Sequence, residues 1–141
     1  MISFFNEDIN FTLRHKTAVR KWILNAIRKE GFTIQEINYI YCSDAHLKKM
    51  NVHYLHHGTY TDIITFDLSE VKNEIIGEIY ISIDRVRENA IIYNVPLDDE
   101  LRRVMIHGVL HLCGYKDKSP ADIKKIRAKE DYYLDGWHKS K

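Results

Sequence analysis

Residues 103–120 read RVMIHGVLHLCGYKDKSP, and this stretch carries the most informative pattern of the chain, a pair of histidines followed by a turn. Apolar residues surround His107 and His111, which lie four residues apart, so a helix places both imidazoles on one face. Gly114 predicts the end of that helix, and Asp117 follows just beyond the turn. The pattern predicts a metal site of His107, His111 and Asp117 with one coordination position left open, as in catalytic sites.

Hydrophobic periodicity along the chain predicts four strands and five helices. The strands are expected over residues 2–5, 33–42, 62–68 and 74–83. The helices are expected over about 10–30, 44–55, 84–93, from Pro96 through the two histidines, and from a Ser119 cap to about Leu134, with a loop at 56–61. This order predicts an α+β fold over residues 1–141, a single domain with a small mixed four-stranded sheet packed by helices and a zincin-like metal-binding helix.

Composition bounds the class of protein. The chain has 141 residues, 45% of them hydrophobic and 29% charged, which suits a globular protein with one core. Cys42 and Cys113 are the only cysteines, so we expect no disulfide framework and a cytoplasmic location. No signal peptide and no apolar run of membrane-spanning length is found, so we expect no membrane partner. A net charge of +1 neither favours nor excludes nucleic acid.

A histidine pair at this spacing also arises by chance, but its neighbours favour a functional site. Gly108 lies inside the predicted helix, where glycine costs about 1 kcal/mol relative to alanine, so we expect a close packing contact there. In the HExxH helix of zinc proteases this position holds the glutamate that acts as general base. Gly108 therefore argues against a peptidase.

The stretch HGVLHLCGY resembles the signature HGxLHLxGYDH of the YbeY family of bacterial metal-dependent endoribonucleases. Upstream, Asn51 with residues 61–66 (TDIITF) and 77–82 (GEIYIS) resembles the family's N…TDVLSF and GDIxIS segments. Asn89, Ala90 and Glu100 also match the family. The matching blocks span residues 50–117, about half of the chain.

The resemblance implies a single-strand-specific, metal-dependent endoribonuclease that acts in rRNA maturation, including processing of the 3′ end of 16S rRNA, and in ribosome quality control. It implies one Zn²⁺ per chain, and ribosomal RNA and the small ribosomal subunit as partners. His107, His111 and Asp117 are then both the metal ligands and the catalytic set. Zinc suits two imidazoles, although manganese or nickel would accept the same donors.

Two departures from the family pattern leave alternatives open. Asp117 stands where the family has its third histidine, and Lys116 where it has an aspartate. We favour Asp117 as the third ligand, because the position of a residue after the turn, rather than its type, determines whether its side chain reaches the metal. An anionic ligand in place of a neutral one would make the metal a weaker Lewis acid. Alternatively, Asp117 is the displaced aspartate, and the site is completed by one of three histidines: His138, His56 or His57.

The second departure is Leu55, which replaces a family arginine expected to meet RNA phosphate. Lys116, Arg85, His56 or His57 are candidates to supply that charge. The two departures motivate a second hypothesis, a ribosome-associated maturation factor whose metal is structural. Further candidates for RNA contact are the basic residues Arg85, Arg87, Arg102, Arg103, Lys116 and Lys118 and the aromatic residues Tyr54, Tyr60 and Tyr80. Asp62 is expected either to orient the site or to cap a loop.

Overall fold

The computed structural model of the chain describes residues 1–55 and 61–140. Within them the four strands are β1 (Ile2–Asn6), β2 (Thr33–Cys42), β3 (Ile63–Asp67) and β4 (Glu74–Ser82). The five helices are α1 (Lys16–Lys29), α2 (Asp44–Leu55), α3 (Ile83–Tyr93), α4 (Leu97–Leu112) and α5 (Pro120–Lys139). The predicted α+β class and element order are confirmed. The loop predicted at 56–61 lies, except for its last residue, outside the described residues.

The strands form one mixed sheet in the order β1-β2-β4-β3. β1 and β4 run parallel to β2, whereas β3 runs antiparallel to β4. Alternating side chains of β2 and β4 divide the sheet into two faces. One face carries the larger core, into which α1 and α4 pack, and the other carries a smaller cluster with Leu47 and Met50 of α2.

Helix α4 is buried along most of its length and is held close to the sheet. Asp98, Asp99 and Glu100 lie in its first turn, where negative charge stabilises a helix N-terminus. The Tyr39 hydroxyl of β2 donates a hydrogen bond to the Met105 carbonyl at 3.0 Å. These contacts place the second half of α4, with its histidines, over β3 and β4.

Gly108 has the close contact that the sequence predicts. A Cβ atom at this position would lie 3.0 Å from the Cδ1 atoms of both Ile63 and Ile79. The backbone of α4 therefore approaches the sheet at a distance that only glycine allows without displacement. The position that holds the general base in zinc proteases here faces the sheet.

Two predicted helix ends are wrong. α1 begins at Lys16, not near residue 10, because His15 adopts a left-handed conformation (φ 59°) that a right-handed helix cannot continue through. Phe11 nevertheless packs on Tyr41 from the irregular segment, which explains the helix-like apolar spacing. α5 continues beyond Leu134 to Lys139, because Trp137 is buried against Trp22 and Arg102 and extends the helix's apolar face.

Candidate metal centre

The end of α4 and the turn after it bring three donor atoms together. Gly114 has φ 97°, and this left-handed residue reverses the chain so that Asp117 returns towards the histidines. His107 Nε2 and His111 Nε2 are 3.0 Å apart. Asp117 Oδ2 lies 3.3 Å from His107 Nε2 and 3.2 Å from His111 Nε2. Among the described residues, these are the ones that bring three potential metal-ligand atoms within 4.8 Å of one another.

The other ring nitrogen of each histidine is already used. His107 Nδ1 donates to Oε2 of Glu130 on α5 at 2.6 Å, and His111 Nδ1 donates to the Tyr115 carbonyl at 2.9 Å. Because a carbonyl only accepts hydrogen bonds, the proton of neutral His111 lies on Nδ1, and its Nε2 carries a lone pair. The same holds for neutral His107 beside the ionised Glu130 carboxylate.

This tautomer leaves two lone pairs and a carboxylate oxygen facing one another at hydrogen-bonding distance. These three electron-rich atoms repel one another unless a cation, either a proton or a metal ion, lies between them. A tetrahedral ion with ligand bonds of about 2.0–2.1 Å requires donor atoms about 3.3 Å apart, close to the separations found here. The donor set therefore fits a divalent transition metal. Asp117 is 44% exposed at its side chain, so the cluster is open to solvent on that side.

Glu130 is a buried carboxylate to which no sequence pattern assigns a role. It is only 4% exposed, and its Oε1 accepts a hydrogen bond from Arg103 at 2.9 Å while Oε2 holds His107. Arg103 also contacts Asp131 at 2.7 Å. Burial would raise the pKa of Glu130, but hydrogen bonds from His107 and Arg103 outweigh it and lower that pKa. Glu130 is thus ionised, and it fixes the orientation of the His107 ring.

Tyr115 links the candidate metal centre to α1 and α5. Its carbonyl orients His111, and its hydroxyl donates to Oε1 of Glu30, the C-cap residue of α1, at 2.7 Å. Glu30 also accepts a hydrogen bond from the Tyr133 hydroxyl of α5, and it forms an ion pair with Lys129 at 3.3 Å. Burial and the Glu30 carboxylate raise the pKa of Tyr115 to about 12, so its phenol remains a donor.

The alternative third ligands are placed differently. His138 lies near the end of α5 and pairs with Asp99 at 3.4 Å, apart from the histidine cluster. His56 and His57 lie outside the described residues. Asp117, the residue favoured from its position, is the one that lies beside both imidazoles.

Several arginines proposed as RNA contacts are engaged in ion pairs within the protein. Arg85 pairs with Asp44 at 3.0 Å, Arg102 with Asp99 at 2.6 Å, and Arg103 with Glu130. Arg87, Lys116 and Lys118 are exposed. Tyr80 stacks edge-on against Phe66, while the side chains of Tyr54 and Tyr60 are outside the described part of the chain. Of the basic residues proposed as RNA contacts, Lys116 and Lys118 are thus exposed and flank Asp117.

A polar cavity of about 300 Å³ lies beside the metal centre. His107 and Asp117 form part of its wall, together with Asp62, Glu100 and Glu130. A larger groove of about 700 Å³ between α1 and α5 shares no residue with the three donors. No helix in the described ranges combines the length and the apolar character that a membrane span requires.

The fold and the cluster together define a class: an α+β protein with a histidine pair and an acidic third donor at the end of one helix. The profile of the family described as Endoribonuclease YbeY matches residues 1–138. This chain belongs to that family. It is 53% identical over 138 residues to the Endoribonuclease YbeY of Flavobacterium psychrophilum, covering 98% of this chain and 97% of the relative.

Other relatives agree over a similar length. The Endoribonuclease YbeY of Cytophaga hutchinsonii is 52% identical over 133 residues, covering 94% of this chain and 93% of its own. A solution structure of a Thermotoga maritima protein superposes with a TM-score of 0.66 at 28% identity, covering 97% of this chain and 89% of that one. The resemblance read from about half of the chain thus extends over nearly all of it.

Proposed function

We propose that the protein is a zinc-dependent endoribonuclease that cleaves single-stranded RNA during maturation of ribosomal RNA, with His107, His111 and Asp117 as the metal ligands and catalytic set. The observation that carries the proposal is the approach of three potential ligand atoms to within 3.3 Å of one another at an exposed edge. Membership of an endoribonuclease family supports RNA as the substrate.

His107, His111 and Asp117 would hold a divalent ion, which would supply Lewis acidity towards a phosphodiester. The residues of the chain do the positioning. Glu130 and the Tyr115 carbonyl hold the two imidazole rings with Nε2 turned to the same point. Asp117 contributes negative charge from the solvent side, where an RNA strand can approach. Three protein donors leave a position for solvent or substrate.

Lys116 and Lys118 flank Asp117 and are exposed, so they add positive charge near the approach of an RNA backbone. Processing of the 3′ end of 16S rRNA, a role in ribosome quality control, association with the small ribosomal subunit and a cytoplasmic location are part of the proposal and rest on the family membership.

Purified, zinc-loaded protein incubated with labelled single-stranded and double-stranded RNA tests the proposal. We expect cleavage of the single strand, with loss of both cleavage and bound zinc in His111→Ala. His138→Ala is the matched control, because that histidine lies outside the cluster. This variant is expected to keep both its RNA cleavage and its bound zinc.

Cleavage that persists unchanged in His111→Ala would identify a contaminating nuclease and refute the proposal. Zinc binding without cleavage of any RNA, combined with binding to small ribosomal subunits, would favour the second hypothesis of a maturation factor with a structural metal. The same experiment therefore separates the two functions.

A further inference from the structure

The cavity beside the candidate metal centre is lined by the carboxylate of Glu100, for which the described residues provide no hydrogen-bond or ion-pair partner. Glu100 is 5% exposed and lines this cavity, and it makes no hydrogen bond or ion pair with any residue in the described ranges 1–55 and 61–140. Glu130 provides the contrast on the opposite helix, since it is equally buried but satisfied by His107 and Arg103. Buried carboxylates are normally paired, because leaving one unpaired is costly.

Glu100 lies on the face of α4 that carries the metal ligands. It precedes His107 by seven residues, which is two helical turns, so both side chains point to the same side of the helix. Asp62 faces it from the residue before β3, and Asp117 and His107 close the end of the cavity. The unpaired carboxylate thus lies next to the place where a phosphodiester would be held.

A second metal ion is a poor occupant for this space. Glu100 and Asp62 belong to no set of three metal donors within 4.8 Å among the described residues. Arg103 and Arg127 also line the cavity and add positive charge to its wall. A neutral group that donates hydrogen bonds suits such a mixed wall better than a cation does.

Apolar side chains complete the cavity. Val104, Ile123 and Ile126 lie on its wall, and the exposed ring of Tyr93 lies at the end of α3. Flat apolar surface beside a few directed acceptors is typical of sites for small polar rings. Burial raises the pKa of both Glu100 and Asp62, and the charge of Asp62 raises the pKa of Glu100 further.

We propose that this cavity binds one nucleotide of the RNA next to the bond held at the metal centre, and that Glu100 accepts a hydrogen bond from an N–H or O–H donor of that nucleotide. The donor is either the amino or imino edge of the base or the ribose 2′-hydroxyl. This inference rests on the proposed function. It adds a subsite that selects the nucleotide beside the cleaved bond.

The test is a cycle of protein and RNA changes. Cleavage sites are first mapped with the wild-type protein on single-stranded RNA. Oligonucleotides are then made that lack one donor in a nucleotide flanking the cut, either by 2′-deoxy substitution or by a base without its amino or imino N–H. Dissociation constants are measured by fluorescence anisotropy, before cleavage proceeds, for wild type, Glu100→Gln and the control Glu70→Gln, which makes the same change at an exposed site.

For one of the donors, we expect the oligonucleotide that lacks it to bind wild type and Glu70→Gln roughly tenfold or more weakly than the unmodified RNA. The same oligonucleotide should lose much less affinity for Glu100→Gln. Whether the sensitive donor is on the base or on the sugar identifies the contact. Equal sensitivity of wild type and Glu100→Gln to every donor removal would overturn the inference. If the wild type cuts no RNA at all, the proposed function fails instead.

A second variant covers the case in which Glu100→Gln does not fold, as judged by its thermal unfolding. Tyr93 is 60% exposed and lines the same cavity, so Tyr93→Ala leaves the buried charges in place. We expect Tyr93→Ala to weaken RNA binding severalfold while preserving the discrimination between donors. Unchanged RNA affinity in Tyr93→Ala would show that the cavity is empty in the complex, and would refute the subsite.

Discussion

Glu130 touches the candidate metal centre through one short hydrogen bond to His107. Its carboxylate holds His107 Nδ1 at 2.6 Å, and Glu130→Gln replaces the charged acceptor with a neutral amide of the same size. Because such partners orient the ring and raise its basicity, we expect zinc affinity to fall by about 10- to 100-fold. Competition with a chromophoric chelator measures the change.

The matched control is Asp131→Asn, the next residue along α5. Asp131 is 60% exposed and pairs with the other terminal nitrogen of Arg103, so the same chemical change there should leave zinc affinity nearly unaltered. Equal losses in Glu130→Gln and Asp131→Asn would mean that the net charge of α5, not the contact with His107, controls metal binding.

Asp117 is one of the positions at which this chain departs from the signature that it resembles. Its Oδ2 lies within 3.3 Å of both imidazole nitrogens. We expect Asp117→Ala to lose most of its bound zinc, as measured by elemental analysis after dialysis, because two imidazoles alone hold the ion weakly. Full occupancy in Asp117→Ala would reassign the third ligand, and His56 and His57 would be the next residues to change.

At the scale of elements, the contact between α4 and the sheet sets the position of the histidines. Gly108→Ala adds a methyl group 3.0 Å from Ile63 and Ile79, and such overpacking costs about 1–3 kcal/mol, against about 1 kcal/mol gained in helix propensity. We expect a net loss of unfolding free energy in urea titrations, together with weaker zinc binding because α4 must move.

Gly136→Ala is the control within a helix. Nothing lies within 4 Å of a Cβ atom at Gly136, so only the helix propensity changes. This variant should gain up to about 1 kcal/mol in unfolding free energy. If Gly108→Ala is stabilised as much as Gly136→Ala, the sheet accommodates the methyl group and the close approach is not required.

The turn after α4 contacts α1 and α5, so its conformation depends on the whole molecule. Glu30 ties α1 to Tyr115 of that turn and to Tyr133 of α5. Burial alone would raise the pKa of Glu30, but hydrogen bonds from Tyr133, Tyr115 and Lys129 lower it below the usual value of 4.5. The ionised form is therefore the one that stabilises the fold.

Because the folded-state pKa is depressed, the contribution of Glu30 is complete above pH 4.5 and is lost as pH falls through the folded-state value. At neutral pH we expect Glu30→Gln to lose about 1–3 kcal/mol of unfolding free energy, as for a hydrogen bond to a charged group. Urea unfolding of both proteins at pH 7 and pH 3.5 should show this difference shrinking at the lower pH. A difference that is constant or grows on acidification would contradict the assignment.

Much of the fold could be predicted from local patterns. Alternation in β4, acidic residues at the start of α4 and the glycine after it each act within a few residues, so the sequence shows them directly. The α1 start was wrong because Phe11 packs on the core without being helical, and apolar spacing alone does not distinguish the two cases. The α5 end was wrong because Trp137 is buried by residues far away in sequence.

The candidate site also contains residues that the local sequence pattern predicts and residues that it does not. His107, His111 and Asp117 fall within eleven residues, and helix geometry with one turn places them. Glu130, Glu100 and Glu30 were not assigned these roles. Glu130 lies in a helix rich in charged residues, where a carboxylate in the sequence is indistinguishable from one on a solvated surface. Its burial follows only from the way α5 lies against α4.

Local sequence patterns are thus enough to establish the helix with its two histidines, the reversal that follows it, and the family. The free nitrogen of each imidazole, and the difference between the paired carboxylate of Glu130 and the open one of Glu100, follow only from how the helices pack. Helix periodicity and turn conformation act between near neighbours, whereas burial and hydrogen bonding depend on segments that are distant in the chain.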